Sequence, residues 1–221
     1  PSDVVVGPGN RWVTAAKKHL FGEIGIDGLA GPSEIVVVAD AASDPHLVAA
    51  DLLAQAEHDP DALPILVTDT PALLQEVERI IDEELETLPT GVIASAALDG
   101  GYAIVVEAMD VAVDLCNHIA PEHLALHVEF PDAMAGRLSA YGSLFVGEAS
   151  AEVFADYGAG PNHVLPTDGG ARFQSGLSVA TFLKAPTWLT LTDPGMISGD
   201  AARLARLEGL EAHARAAERR T

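Results

Sequence analysis

Apolar residues recur along this chain in two rhythms. Short continuous runs rich in β-branched residues occur at Val4–Val6, Ile35–Ala39, Ile65–Thr68, Tyr102–Val106, Leu124–Val128 and Ser143–Val146, each the pattern of a buried strand. Between them lie segments in which apolar positions return every three to four residues. The clearest is Pro71–Leu88, where Leu73, Val77, Ile80, Ile81 and Leu85 fall on one side and Glu76, Glu78, Asp82, Glu83 and Glu86 on the other. That acidic side is a solvated face and needs no functional explanation. Further helices are predicted at Arg11–Leu20, from Ser43-Asp44-Pro45 to Asp59-Pro60, and near Met109–His118, Asp132–Ser139 and Ala151–Tyr157. Strands alternating with helices require crossover connections, so the pattern predicts an α/β fold with a largely parallel sheet. Beyond about Gly158 the rhythm weakens. A Gly/Pro-rich loop, Gly158–Gly176, gives way to Val179–Lys184, an apolar Trp188–Leu191, and a polar helix from Gly199 onward.

Composition narrows the class. The chain has 221 residues, 48% of them hydrophobic, with 33 Asp and Glu against 12 Lys and Arg for a formal charge of −21. That apolar content suits a globular chain of one or two domains rather than a disordered acidic segment. The acidity argues against nucleic acid or an anionic membrane as partner, because both reward clustered cations. The lysines are Lys17, Lys18 and Lys184, and arginines gather only weakly near the C-terminus. The sole cysteine, Cys116, leaves no intrachain disulfide and no multi-cysteine zinc site, so a metal would be held by His, Asp, Glu or Gln. No apolar run approaches the roughly 18 residues of a membrane helix and no leader pattern is read, so a cytoplasmic location is expected. Pro1-Ser2-Asp3 passes at once into the first strand, as in a domain entered midway.

Several segments carry candidate chemistry. In Gly7-Pro8-Gly9-Asn10 a strand meets a glycine turn before a helix, whose N-terminus could receive a phosphate, with Asn10 either capping the helix or touching a ligand. The dinucleotide fingerprint fails because Trp12 stands where its third glycine is required, and a plain tight turn is the simpler reading. Gln55 and His58, three apart near a helix end, project from one face as a possible pair of metal ligands. The simpler reading of the pair alone is that Gln55 is exposed and His58 interacts with the helix C-terminus. Glu122 and His123 follow the helix-stopping Pro121 in a loop before a strand, as an acid/base pair or as surface charge. Asp156 closes a helix ahead of the long loop containing Gly160-Pro161-Asn162-His163, and loops of that length are often functional. His213 and Glu208 lie on the last helix, where a lone terminal histidine is usually solvated.

Read in order, Gly7-Pro8-Gly9-Asn10, Ala30-Gly31-Pro32-Ser33-Glu34, Gln55-Ala56-Glu57-His58-Asp59, Ala120-Pro121-Glu122-His123-Leu124, Asp156-Tyr157 through Pro166, Ser175-Gly176-Leu177-Ser178 and Glu208 through His213 resemble histidinol dehydrogenase over essentially the whole chain. The resemblance is to the C-terminal half of a family whose members are nearly twice as long. It implies an incomplete Rossmann-like parallel sheet flanked by helices. Residues 1–33 would be the tail of a second nucleotide-binding-like lobe, 34–176 the main α/β lobe with the zinc and acid/base residues, and 177–221 a C-terminal helical dimerisation arm. It also implies a zinc- and NAD-dependent homodimer that oxidises L-histidinol through L-histidinal to L-histidine in histidine biosynthesis. By position, Gln55, His58, Asp156 and, from the neighbouring subunit, His213 resemble the metal ligands. Glu122 and His123 resemble the acid/base pair. Ser33 and Glu208, together with the zinc ligands and His123, fall at substrate contacts, and Asn10 at an NAD contact. Alternatives are a related zinc-dependent dehydrogenase of another small alcohol, or a noncatalytic chain that needs an N-terminal partner.

Overall fold

The computed structural model describes residues 2–7 and 9–220; Pro1, Pro8 and Thr221 lie outside the described residues, so the opening turn is seen at Gly7, Gly9 and Asn10 only. The chain divides into two compact units, one up to Phe182 and one from Leu183.

The first unit opens with β1 (Val4–Val5), α1 (Arg11–Leu20) and β2 (Gly25–Ile26), the two short strands pairing in parallel. The main sheet follows: β3 (Glu34–Ala39), α2 (Pro45–Ala56), β4 (Leu63–Thr68), α3 (Pro71–Leu85), α4 (Gly91–Gly100), β5 (Tyr102–Val105), α5 (Met109–Ile119), β6 (His123–His127), α6 (Pro131–Ala135), β7 (Ser143–Val146) and α7 (Val153–Asp156). Its five strands are all parallel, in the order β5-β4-β3-β6-β7. In chain order this is third-second-first-fourth-fifth, five of the six strands of the doubly wound nucleotide-binding arrangement. The α/β sheet flanked by helices therefore agrees with the expectation.

The sheet forms because β3 is apolar on both faces. Ile35, Val37 and Ala39 pack under α2, α3 and α4, while Val36 and Val38 meet Ala112, Val113 and Cys116 of α5 on the other side. Asp44 starts α2 by accepting the His46 N–H at 2.9 Å, with Pro45 in the first turn.

The structure departs from the sequence pattern at several ends. Helix α2 stops at Ala56, before Asp59-Pro60, and α3 at Leu85 rather than Leu88. The unanticipated α4 is flanked by glycines and buries only Ala94 and Ala97, so it leaves a faint amphipathic signal. Strand β2 spans two residues and has no pattern to read. The helices predicted at Asp132–Ser139 and Ala151–Tyr157 shrink to α6 and the single turn α7.

In the second unit, Trp188–Leu191 adopts no regular structure. Helix α8 (Gly195–Leu207) starts ahead of Gly199, the chain breaks at Gly209 with φ of 77°, and α9 (Glu211–Glu218) follows. Arg206 joins the two helices through Glu211 at 3.0 Å and Glu218 at 2.7 Å. The hairpin buries small side chains, Ser198, Ala202 and Ala214, and leaves Met196, Leu204 and Leu207 exposed. Among the described residues no helix is long and apolar enough to cross a membrane.

Candidate active site

Nucleotide-binding sheets usually present ligands at the carboxyl ends of their strands. Here the charged residues gather at the amino ends of β3 and β6. The ladder pairs Ile35 with His123, which sets Ser33-Glu34 beside Glu122-His123. Helix α5 is stopped by Ala120 in a left-handed conformation (φ of 53°), its N–H on the Cys116 carbonyl at 2.8 Å, and Pro121 turns the chain into β6. His123 is thus the first residue of the strand, not part of a loop as expected. Glu34 and Glu122 clamp each other. The Glu34 carboxylate accepts the Glu122 N–H at 3.1 Å and the Asp168 N–H at 3.0 Å, while the Glu122 carboxylate accepts the Glu34 N–H at 3.1 Å. Gly142 closes the third side, and a Cβ there would lie 2.5 Å from the Glu122 carbonyl oxygen.

Burial tunes the pair in opposite directions. It pushes Glu122 up to about 8, helped by the negative charge of Glu34 and opposed by hydrogen bonds from the Glu34 backbone and the Ser33 side chain. It lowers His123 to about 4, so the imidazole is neutral at physiological pH. The His123 Nδ1 lies 3.2 Å from the Glu34 main-chain carbonyl. A carbonyl only accepts, so Nδ1 carries the hydrogen and Nε2 keeps its lone pair. Glu122 Oε2 stands 3.7 Å and Glu152 Oε1 3.4 Å from the same nitrogen.

Glu152 is the residue that sequence reasoning missed. It is buried, precedes α7 by one position, and is pushed up to about 8 by burial and then by the charges of Asp156, Glu122 and Asp51. Its signal in the sequence is the four-residue spacing to Asp156. Ligand atoms of His58, Glu152 and Asp156 all lie within 4.8 Å of one another. Gln55 and His58 do not share a helix face as expected, because α2 ends at Ala56 and His58 stands exposed in the following turn. Gln55 is fully buried, and its amide nitrogen and oxygen both lack a hydrogen-bond partner. Such an amide costs free energy unless something else satisfies it. Nitrogen and oxygen donors of this kind suit a borderline cation such as zinc.

A cavity of about 260 Å³ has Ser33, His58, Glu122, His123, Glu152 and Asp156 on its wall, with His163 added by the long loop, while Gln55 does not line it. Gly7, Lys17 and Asp27 line another part of the wall. The Asp27 carboxylate accepts the Gly7 N–H at 2.8 Å and pairs with Lys17 at 2.6 Å, pinning the glycine turn. Asn10 caps α1, accepting the Trp12 N–H at 3.1 Å, and does not line the cavity. Glu208 and His213 belong to the second unit, where Glu208 caps α8 and His213 is an exposed residue of α9.

The chain is similar to known proteins of one family. The family model described as histidinol dehydrogenase matches residues 1–221. Histidinol dehydrogenase of Moorella thermoacetica is 50% identical, with 100% of this chain and 53% of that protein aligned. That of Geobacillus kaustophilus is 51% identical, over 99% of this chain and 52% of the relative. The crystal structure of histidinol dehydrogenase from Elizabethkingia anophelis superposes with a TM-score of 0.92 at 40% identity, covering 99% of this chain and 51% of that one. The chain thus spans about half the length of the curated relatives it matches. Because the family model matches the chain from end to end and relatives about 50% identical cover nearly all of it, this chain belongs to the histidinol dehydrogenase family.

Proposed function

We propose that this chain supplies the metal-binding and acid/base residues of a zinc- and NAD-dependent oxidation of L-histidinol, through L-histidinal, to L-histidine. The observation that carries the reading is His123: a buried neutral imidazole, tautomer fixed by the Glu34 carbonyl, beside a buried carboxyl and a three-ligand cluster. In the proposed site Gln55, His58 and Asp156 hold zinc, with His213 from a second protomer, and the orphaned Gln55 amide is what a metal there would satisfy. When bound, zinc provides a Lewis-acid template for the substrate's nitrogen atoms, and NAD accepts the hydride. Ser33, Glu208 and the metal ligands contact the substrate, and Asn10 at the head of α1 contacts NAD. The exposed Met196, Leu204 and Leu207 of the helical hairpin support a homodimer in which the arm packs on its partner.

In this scheme His123 Nε2 accepts the hydroxyl proton as the alcohol carbon is oxidised. The aldehyde must then gain water before a second oxidation, and Glu122, once ionised, takes a proton from that water. Whichever of Glu122 and Glu152 is ionised stabilises the imidazolium from the Nδ1 side while it lasts.

The test supplies a polypeptide carrying the N-terminal half of a relative and follows NADH. His123→Asn should slow histidinol oxidation by roughly 10² to 10⁴, the usual scale for a lost acid/base group, with zinc content intact. Glu122→Gln should mainly damage histidinal oxidation. A parental histidinal rate in Glu122→Gln, or unchanged zinc content in His58→Ala, refutes the assignment.

A further inference from the structure

Glu152 has an unusual environment for a buried carboxyl. Buried carboxylates normally collect backbone N–H groups, as Glu34 does from Glu122 and Asp168. Glu152 is 5% exposed, its Oε1 faces His123 Nδ1 at 3.4 Å, and its Oε2 is buried with no hydrogen-bond partner. The charged groups acting on it are themselves acidic: Asp156, Glu122 and Asp51. Acidic groups brought together out of water either keep their protons or need a counter-charge. One is available in the form the cluster suits, since Glu152 shares its ligand-atom neighbourhood with His58 and Asp156. The Gln55 amide, three residues before His58, is likewise buried without a partner.

We propose that Glu152 bridges the metal and the base, one carboxylate oxygen binding the cation and the other holding the Nδ1 side of the His123 ring. Glu152 is then both a metal ligand and a positioning residue, and filling the metal site fixes the ring whose Nε2 faces the chemistry. This rests on the zinc reading above and adds to it a ligand and a link. Two contacts already fix one side of the link, the Glu34 carbonyl at 3.2 Å and Glu152 at 3.4 Å. Without a cation Glu152 is held by only one of its oxygens.

The experiment uses the 221-residue chain with ¹⁵N-labelled histidine, with zinc added in competition with a chelator. Zinc affinity and the His123 imidazole resonances, assigned through His123→Asn, are read together. Glu152→Gln should weaken zinc binding at least tenfold and abolish the zinc-induced shift of the His123 signals. Glu152→Asp, which keeps the charge but shortens the reach, should keep part of the affinity and lose the shift. Circular dichroism establishes that each variant is folded, and Glu76→Gln, a change on the exposed face of α3, should behave as the parent. Zinc affinity within twofold of the parent in both Glu152 variants, or a parental His123 response in either, overturns the bridge while leaving the zinc reading standing. No zinc binding by the parent chain overturns the zinc reading, and the bridge with it.

Discussion

Replacing Gln55 by Met separates what this residue does for folding from what it would do for a metal in the proposed site. The two side chains are similar in length and volume and comparable in helix propensity, so the change mainly removes two polar atoms from a site with no solvent exposure. Both amide atoms are unpartnered, and each buried unsatisfied group costs about 1–3 kcal/mol. Summed, the substitution relieves about 2–6 kcal/mol, and because neighbouring effects do not add fully we expect a gain of about 2 kcal/mol. Without metal the variant should therefore be the more stable protein. With zinc the order should reverse: a ligand at a hundredfold its dissociation constant stabilises the parent by about 2.7 kcal/mol, and the variant, short of one ligand, collects much less. The assay is urea unfolding of both proteins, once in chelator and once with excess zinc, read by circular dichroism. Destabilisation of the variant by more than about 1 kcal/mol in chelator would show that the Gln55 amide has a protein partner, and would refute the reasoning.

Gly142→Ala should destabilise the chain by about 1–3 kcal/mol, since the new methyl meets the Glu122 carbonyl oxygen at 2.5 Å and backbone must move; a melting temperature equal to the parent's would contradict this. The buried carboxyls also set a pH dependence. Glu122 and Glu152 stay protonated in the fold up to about 8 but release their protons near 4.5 when unfolded, so their contribution is full below 4.5 and is lost as pH rises to 8. Urea unfolding in chelator should show stability falling across that window, and Glu122→Gln should flatten part of the fall; an unchanged slope in the variant would be the wrong result for this account.

How much of this was legible in the sequence depended on how local each signal was. The β-branched run Ile35–Ala39 and the acidic-faced helix from Pro71 were readable because burial on two faces, or on one stripe, imposes a period on the chain itself. The motif string carried the family, since seven short segments in order are specific even where no segment is. Strand order was not readable, nor was α4, whose small residues give it little amphipathic contrast. The site divides the same way. Glu122 and His123 stood out as neighbours in the sequence, but what perturbs them is remote: Glu34 lies 88 residues away, and its carbonyl fixes the tautomer of His123. His58 does not occupy the helix face its spacing predicts, and the spacing of Glu152 to Asp156 carries little contrast in so acidic a chain. Sequence by itself determined which residue types were present and how each segment buried itself. The parallel ladder of β3 and β6 and the short turn of α7 decided which charges met out of water, and desolvation, which acts on groups only once the chain has brought them together, decided what those charges became.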